Sequence, residues 1–176
     1  MLKLKINSYE GKTIEDALNK ALGELNASKE EVYYKDEEQV SGGLFKSKKY
    51  VVKVMLKEDV LEYIKAYLKE VTELMGIKVE LETLKKETYI KVNMLSDNSS
   101  ILIGKNGRTM SSLQNLLRQA IYSKSGIKVN VILDANEYKE KQEKNIERLA
   151  VKLAKDVVKT GIEVKMDRMN SYERRL

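Results

Sequence analysis

The sequence predicts an α+β fold built from three small units. Three observations carry this. Short segments of period-two alternation recur between amphipathic helical stripes, but not in strict strand–helix order. Glycines and capping residues punctuate those segments, and the chain has no proline. At 176 residues and 42% apolar, the chain can build cores, yet its punctuation falls at intervals too short for one large sheet.

The elements follow in order. LKLKIN (2–7) alternates like a strand. Thr13 has the character of an N-cap, and Ile14, Ala17, Leu18, Ala21, Leu22 and Leu25 follow at helical spacing. Ser28 with Glu31 has capping-box form and reads as a second start signal. VYYK (32–35) and KYVVKVML (49–56) read as strands. The first unit, 1–56, is therefore β-α-β-β, a marginal size for a fold standing alone. Its loop VSGGLFKSKK holds the only phenylalanine. Leu44 and Phe45 either pin this loop onto their own sheet or form an apolar tip with a basic rim that docks on a partner.

The second unit, 57–134, reads α-β-β-α-α-β. Val60, Ile64, Tyr67, Leu68, Val71 and Met75 form a helical stripe ended by Gly76. IKVELETL (77–84) and ETYIKVNML (87–95) alternate like paired strands with a turn at Lys85 and Lys86. SDNSS offers several N-caps, and a short apolar piece, 101–103, leads into Gly104. After Gly107 a helix carries Met110, Leu113, Leu116, Leu117, Ala120 and Ile121 on one face, and Gly126 closes it. IKVNVIL (127–133) is one more strand.

The third unit, 135–176, opens at a capping-box pair, Asp134 and Glu137. A long stripe of Ile146, Leu149, Ala150, Leu153, Ala154, Val157 and Val158 runs to Gly161, and IEVKM (162–166) is a strand candidate. The mixed charges of EYKEKQEKNIER fit a solvated helix face with i,i+4 pairs.

Composition narrows the function. The chain has no histidine and no cysteine. That removes the commonest general base, any thiol chemistry and the softer metal ligands. A binding protein is expected rather than an enzyme, with no cofactor. No 18-residue apolar run and no signal-peptide pattern is present, so a cytoplasmic setting is expected. The net charge is +6, and its distribution is uneven. From 98 to 133 there is no Asp or Glu, whereas the overall acid content would place about five or six there. Lys105, Arg108, Arg118, Lys124 and Lys128 lie in that window, the footprint of a site for a polyanion.

Gly104 and Gly107 sit inside it. A Gly-x-x-Gly between two helices lets the backbone turn tightly and approach a ligand without a Cβ in the way. The following helix aims unpaired N–H groups and partial positive charge at that ligand, for which phosphate is the natural choice. Lys105 and Arg108 add charge, Asn106 can donate, and Leu102 and Ile103 would floor a groove for unstacked bases. A P-loop is excluded, since Gly-x-x-x-x-Gly-Lys-Ser/Thr is absent.

ILIGKNGRT (101–109) and the order of elements around it resemble the type II KH domain. There the Gly-x-x-Gly loop clamps the backbone of single-stranded nucleic acid. The resemblance implies that Gly104, Lys105, Asn106 and Gly107 form the clamp, that Ile103 lies on the groove floor, and that Arg108 and Thr109 start the next helix. GKTIEDALNKALGELNASKEEV with GGLFKSKKYVVKV resembles the N-terminal domain of the Jag or KhpB (SpoIIIJ-associated) family. ANEYKEKQEKNIERLAVKLAKDVVKTG with MNSYERRL resembles that family's R-three-H domain, an α/β unit. Arg174 would be its motif arginine, and its histidine would fall two residues beyond Leu176, so a truncated domain is expected. Arg168 stands where that family commonly has proline. Arg168, Tyr172, Arg174 and Arg175 would contact phosphates and a base.

The family resemblance implies a regulatory role in binding single-stranded RNA, linked to bacterial cell elongation and division. Single-stranded DNA fits the same chemistry. It also implies partners: a second, small KH protein and the neighbourhood of a membrane insertase. KH units can pair through helices or sheet edges, which leaves the oligomeric state open. An adaptor acting through the first unit is the alternative.

Overall fold

The computed structural model describes residues 3–40, 48–169 and 173–175. It is an α+β protein, with two three-stranded sheets among the described residues. In the first unit, strand β1 (Asn7–Gly11) is followed by helix α1 (Ile14–Leu25) and strands β2 (Val32–Val40) and β3 (Lys48–Leu56). The strand order is β1-β3-β2, antiparallel throughout. The Thr13 hydroxyl accepts from the Asp16 N–H at 3.0 Å, which satisfies one of the orphan donors at the start of α1. Ala17, Leu18 and Ala21 of α1 close over Val32, Val52 and Val54 of the sheet.

Two expectations change here. The first strand lies at 7–11 rather than 2–7, because β3 offers its pairing edge to Asn7–Gly11. Leu4 and Ile6 still face inward, but onto the larger core of the second unit. The capping box at Ser28 and Glu31 is formed, yet it opens a single 3-10 turn, Lys29–Glu31, that delivers the chain into β2. Leu44 and Phe45 lie outside the described residues.

The second unit begins without a linker. Helix α2 (Lys57–Leu74) starts where β3 ends, and strands β4 (Glu80–Lys85) and β5 (Ile90–Leu95) follow. Then come helix α3 (Ser99–Ile103), helix α4 (Arg108–Ser125) and strand β6 (Val131–Ala135). The order β4-β5-β6 has an antiparallel and then a parallel pair. A parallel neighbour demands a crossover, and α3 with α4 supplies it. Val60, Ile64 and Leu68 of α2 meet Met110, Leu113, Leu117 and Ile121 of α4 over the inward residues of the sheet, including Val92, Met94, Val131 and Leu133. Met55 of β3 joins this core, with Leu4, Ile6 and Tyr33 packed against it, so the first unit rests on the second.

Helix α5 (Tyr138–Thr160) forms the third unit with the chain that returns beside it. Its start differs from a capping box. Glu137, not Asp134, stands at the N-cap, in the left-handed region at φ 59°, and its own side chain does not cap the helix. Asp134 is instead buried at the end of β6. Its Oδ1 accepts from the Ala135 N–H at 3.0 Å and from the Lys139 N–H at 3.3 Å, while Lys91 lies 3.6 Å from Oδ2. The carboxylate thus ties the first turn of α5 to the sheet. No strand forms at 162–166 among the described residues, and Ile162, Val164 and Met166 are exposed. A strand needs a pairing edge, and none of the described strands offers one there.

Candidate nucleic-acid interface

The 104–107 loop is held from below by Leu102, which is fully buried in the core, while Ile101 beside it is exposed. The Gly104 N–H donates to the Ser100 carbonyl at 2.9 Å, closing α3. Gly104 then takes φ 68°, ψ −178°, a conformation essentially confined to glycine. A Cβ there would also stand 2.1 Å from Oγ1 of Thr109. Lys105–Gly107 make one 3-10 turn, closed by the Gly107 N–H on the Gly104 carbonyl at 3.2 Å. Within it Asn106 is left-handed, at φ 54° and ψ 36°, and Gly107 follows at φ 71°. Asparagine tolerates this region better than most side chains.

Helix α4 begins directly at Arg108. It has no side-chain cap and no acid in its first turn, so nothing within that turn counters its N-terminal dipole. Lys105 and Arg108 are exposed, and among the described residues neither pairs with a carboxylate. Arg118 is different. Its Nε and Nη2 donate to the Val131 carbonyl at 2.9 and 2.6 Å, and Nη2 also reaches Asn130 Oδ1 at 2.9 Å. This turn of α4 is thereby fastened to β6. Gln114 does the same one step along, its Oε1 accepting from the Leu133 N–H at 2.9 Å.

Beside the loop lies a cleft of about 510 Å³. Asn106, Gly107 and Arg108 form one rim, and Met110, Gln114 and Leu133 line its interior. The opposite wall comes from the third unit: Tyr138, Lys139 and Gln142 of α5, with Glu173. Gln142 Nε2 donates to Glu173 Oε1 at 3.2 Å. Tyr138 Cε1 would lie 3.3 Å from a Cβ on Gly107, so the loop backbone approaches the ring closely. Burial raises the Tyr138 phenol above its ordinary pKa, and Glu173 adds to this. Burial also holds the Lys139 ammonium below the usual lysine range. Asp134 opposes that shift, while Lys91 and Arg118 reinforce it.

The sequence-derived candidates separate in space. Gly107, Asn106 and Arg108 line the cleft, with Gly104 and Lys105 in the same turn. Thr109 fills the space over Gly104. Ile103 is half-buried against the core, and the apolar lining of this cleft is Met110, Leu133 and Tyr138. Arg168 and Arg174 line a second cleft of about 660 Å³ beside Ile146 and Ala150 of α5, and Glu173 lines both clefts. Arg175 is exposed, and Tyr172 lies outside the described residues. The α5 wall was not anticipated from sequence. Its one legible signal was an aromatic residue in the first turn of a helix otherwise rich in charge.

Among the described residues no group of three His, Cys, Asp or Glu could hold a metal ion, and no helix is long and apolar enough to cross a membrane.

Comparison with known proteins covers nearly the whole chain. A model of the Jag N-terminus matches residues 9–56, and a model of the KH domain of KhpA and KhpB matches 61–133. The RNA-binding protein KhpB of Clostridium symbiosum is 33% identical over 169 residues, which is 94% of this chain and 76% of that protein. The RNA-binding protein KhpB of Bacillus subtilis (strain 168) is 28% identical over 169 residues, 94% of this chain and 81% of that protein. The protein of the same name from Lactiplantibacillus plantarum is 34% identical over 110 residues, 62% of this chain and 34% of that protein.

Proposed function

The chain belongs to the KhpB family of RNA-binding proteins, and on that premise we propose that it binds single-stranded RNA by clamping the backbone in its 104–107 loop. The observation that carries this reading is the pairing of an uncapped helix start, with no acid in its first turn, with two cations, Lys105 and Arg108, that pair with no carboxylate among the described residues. A phosphate placed there meets the N-terminal end of α4, the donor of Asn106 and two positive side chains. Gly104 and Gly107 supply the positive-φ backbone that shapes this turn.

The domain organisation belongs to the same proposal: a Jag-type N-terminal domain at 1–56, a type II KH domain at 57–134 and an R-three-H region at 135–176. Arg168, Arg174 and Arg175 would add phosphate contacts from the last of these. The family resemblance supports a regulatory role linked to cell elongation and division. It also supports a cytoplasmic setting, with a second small KH protein and the surroundings of a membrane insertase as partners. No catalytic step is assigned to the chain.

The test is a titration of labelled single-stranded RNA at several salt concentrations, with wild type and Lys105→Asp/Asn106→Asp. Log affinity for a single strand falls with log salt at about −0.7 per phosphate neutralised. The double variant should lose affinity and part of that slope. Equal binding by the two proteins, or none by either, would reduce the loop to a turn and move the adaptor reading to first place.

A further inference from the structure

The cleft beside the loop is the place where the second and third units share one surface, and it raises the question of how a base would be held there. Its volume of about 510 Å³ lies within the roughly 300–1,000 Å³ of small-ligand sites. An open strand edge would present N–H and C=O groups to the hydrogen-bonding edge of a base. In β6 two of these are already taken: the Leu133 N–H by Gln114 and the Val131 carbonyl by Arg118. A base entering beside β6 finds neither group free. What the cleft does offer is an aromatic ring. Tyr138 is the one aromatic side chain among the described residues that line it. It stands against Gly107 so closely that a Cβ on that residue would come within 3.3 Å of the ring. Lys139, next in sequence, brings a cation to the same wall.

We propose that Tyr138 is a nucleotide-stacking residue, and that the third unit thereby completes the groove of the second. The strand clamped at 104–107 lays one base against the Tyr138 ring. Every base has a π face, so stacking of this kind is tolerant of sequence. The inference rests on the clamp reading above, but it concerns the base and not the phosphate, which allows the two to be separated.

The separating probe is a pair of single strands of equal length, on the order of eight nucleotides. One carries bases, made in A, C and U versions, and the other is an abasic ribose-phosphate strand. Tyr138→Leu keeps an apolar group against Gly107 and removes the ring. It should weaken binding of all three base-bearing strands by about 5- to 150-fold, the range for one lost stack. Binding of the abasic strand should stay unchanged. Lys105→Asp/Asn106→Asp should weaken both strands.

Several results would overturn the stack. Tyr138→Leu could bind base-bearing strands as wild type does, or lose as much on the abasic strand, or lose on one base alone. If only the clamp variant fails to change binding, the clamp reading falls and the stack stands. If wild type binds neither strand, both fall. Photocrosslinking of wild type to a 5-iodouridine strand needs no substitution and covers the case of a misfolded variant. The crosslinked peptide should contain Tyr138, and crosslinked material without it would overturn the proposal.

Discussion

Helices α4 and α5 meet at the same cleft and carry the same kind of amphipathic stripe, yet they put it to different use. In α4, 18 residues long, Met110, Leu113, Leu117 and Ile121 are all buried in the core of the second unit. In α5, 23 residues long, no side chain is buried. Ile146, Ala150, Leu153 and Val157 are only half-buried, and Val158 is 87% exposed. Both helices end at a left-handed glycine, Gly126 and Gly161. The difference lies in what faces the stripe. Helix α4 has a three-stranded sheet and α2 opposite it, whereas α5 is tied at its first turn by Asp134 and has the irregular chain at 166–169 beside Ile146 and Ala150. A stripe states that a helix has an apolar face. Stability follows only when another element covers that face.

The largest test of this contrast is a pair of truncations read by urea unfolding. Leu117→Ala removes a fully buried side chain and should cost about 2–5 kcal/mol. Leu153→Ala, the matching change in α5, should stay within about 0.5 kcal/mol. Equal costs would mean that α5 is as much a part of the core as α4, and the contrast would fail.

A smaller effect is expected at the turn that starts α4. Gly104→Ala places a Cβ on a residue at φ 68° and into Thr109. The cost should be about 1–3 kcal/mol, and the damage should centre on the loop while the sheet keeps its hydrogen-exchange protection. A stable, fully protected Gly104→Ala variant would show that the loop has room the backbone geometry denies it.

The smallest effect belongs to the cleft wall on α5. The Lys139 pKa is lowered by burial, so the folded chain binds that proton less tightly than the unfolded chain. Stability therefore rises with pH between the depressed folded value and the ordinary lysine value, and Lys139→Met should flatten that rise without lowering Tm below it. The charged groups facing Lys139 are Asp134, Lys91 and Arg118, and an undiminished rise in the variant would show that Lys139 is not its source.

Much of this could be read locally. Thr13 caps α1, the glycines at 76, 126 and 161 end helices, and the acid-free stretch around 104–107 marks the uncapped start of α4. These features depend on neighbours within a few residues, so sequence carries them. The failures share the opposite character. LKLKIN alternates as a strand should, and Leu4 and Ile6 do point inward, but pairing falls to Asn7–Gly11 because β3 lies beside those residues. IEVKM alternates equally well and forms no strand among the described residues. Asp134 has the right spacing for a capping box and is consumed instead by the Lys91 and Lys139 junction.

The candidate site divides along the same line. The clamp residues are contiguous, and their meaning is written in four positions whose φ values and charge are local matters. The wall that faces them is not contiguous: Tyr138 and Lys139 come from the first turn of α5, and Glu173 from over thirty residues later. Likewise Arg118 reads in sequence as one more cation for a polyanion, and in the fold it holds the edge of β6. Backbone preference, capping and helical periodicity act over one or two turns and so survive in the linear chain. Burial, strand pairing and the company a charged side chain keeps are set by residues far away in sequence, and they come into being only when the three units pack.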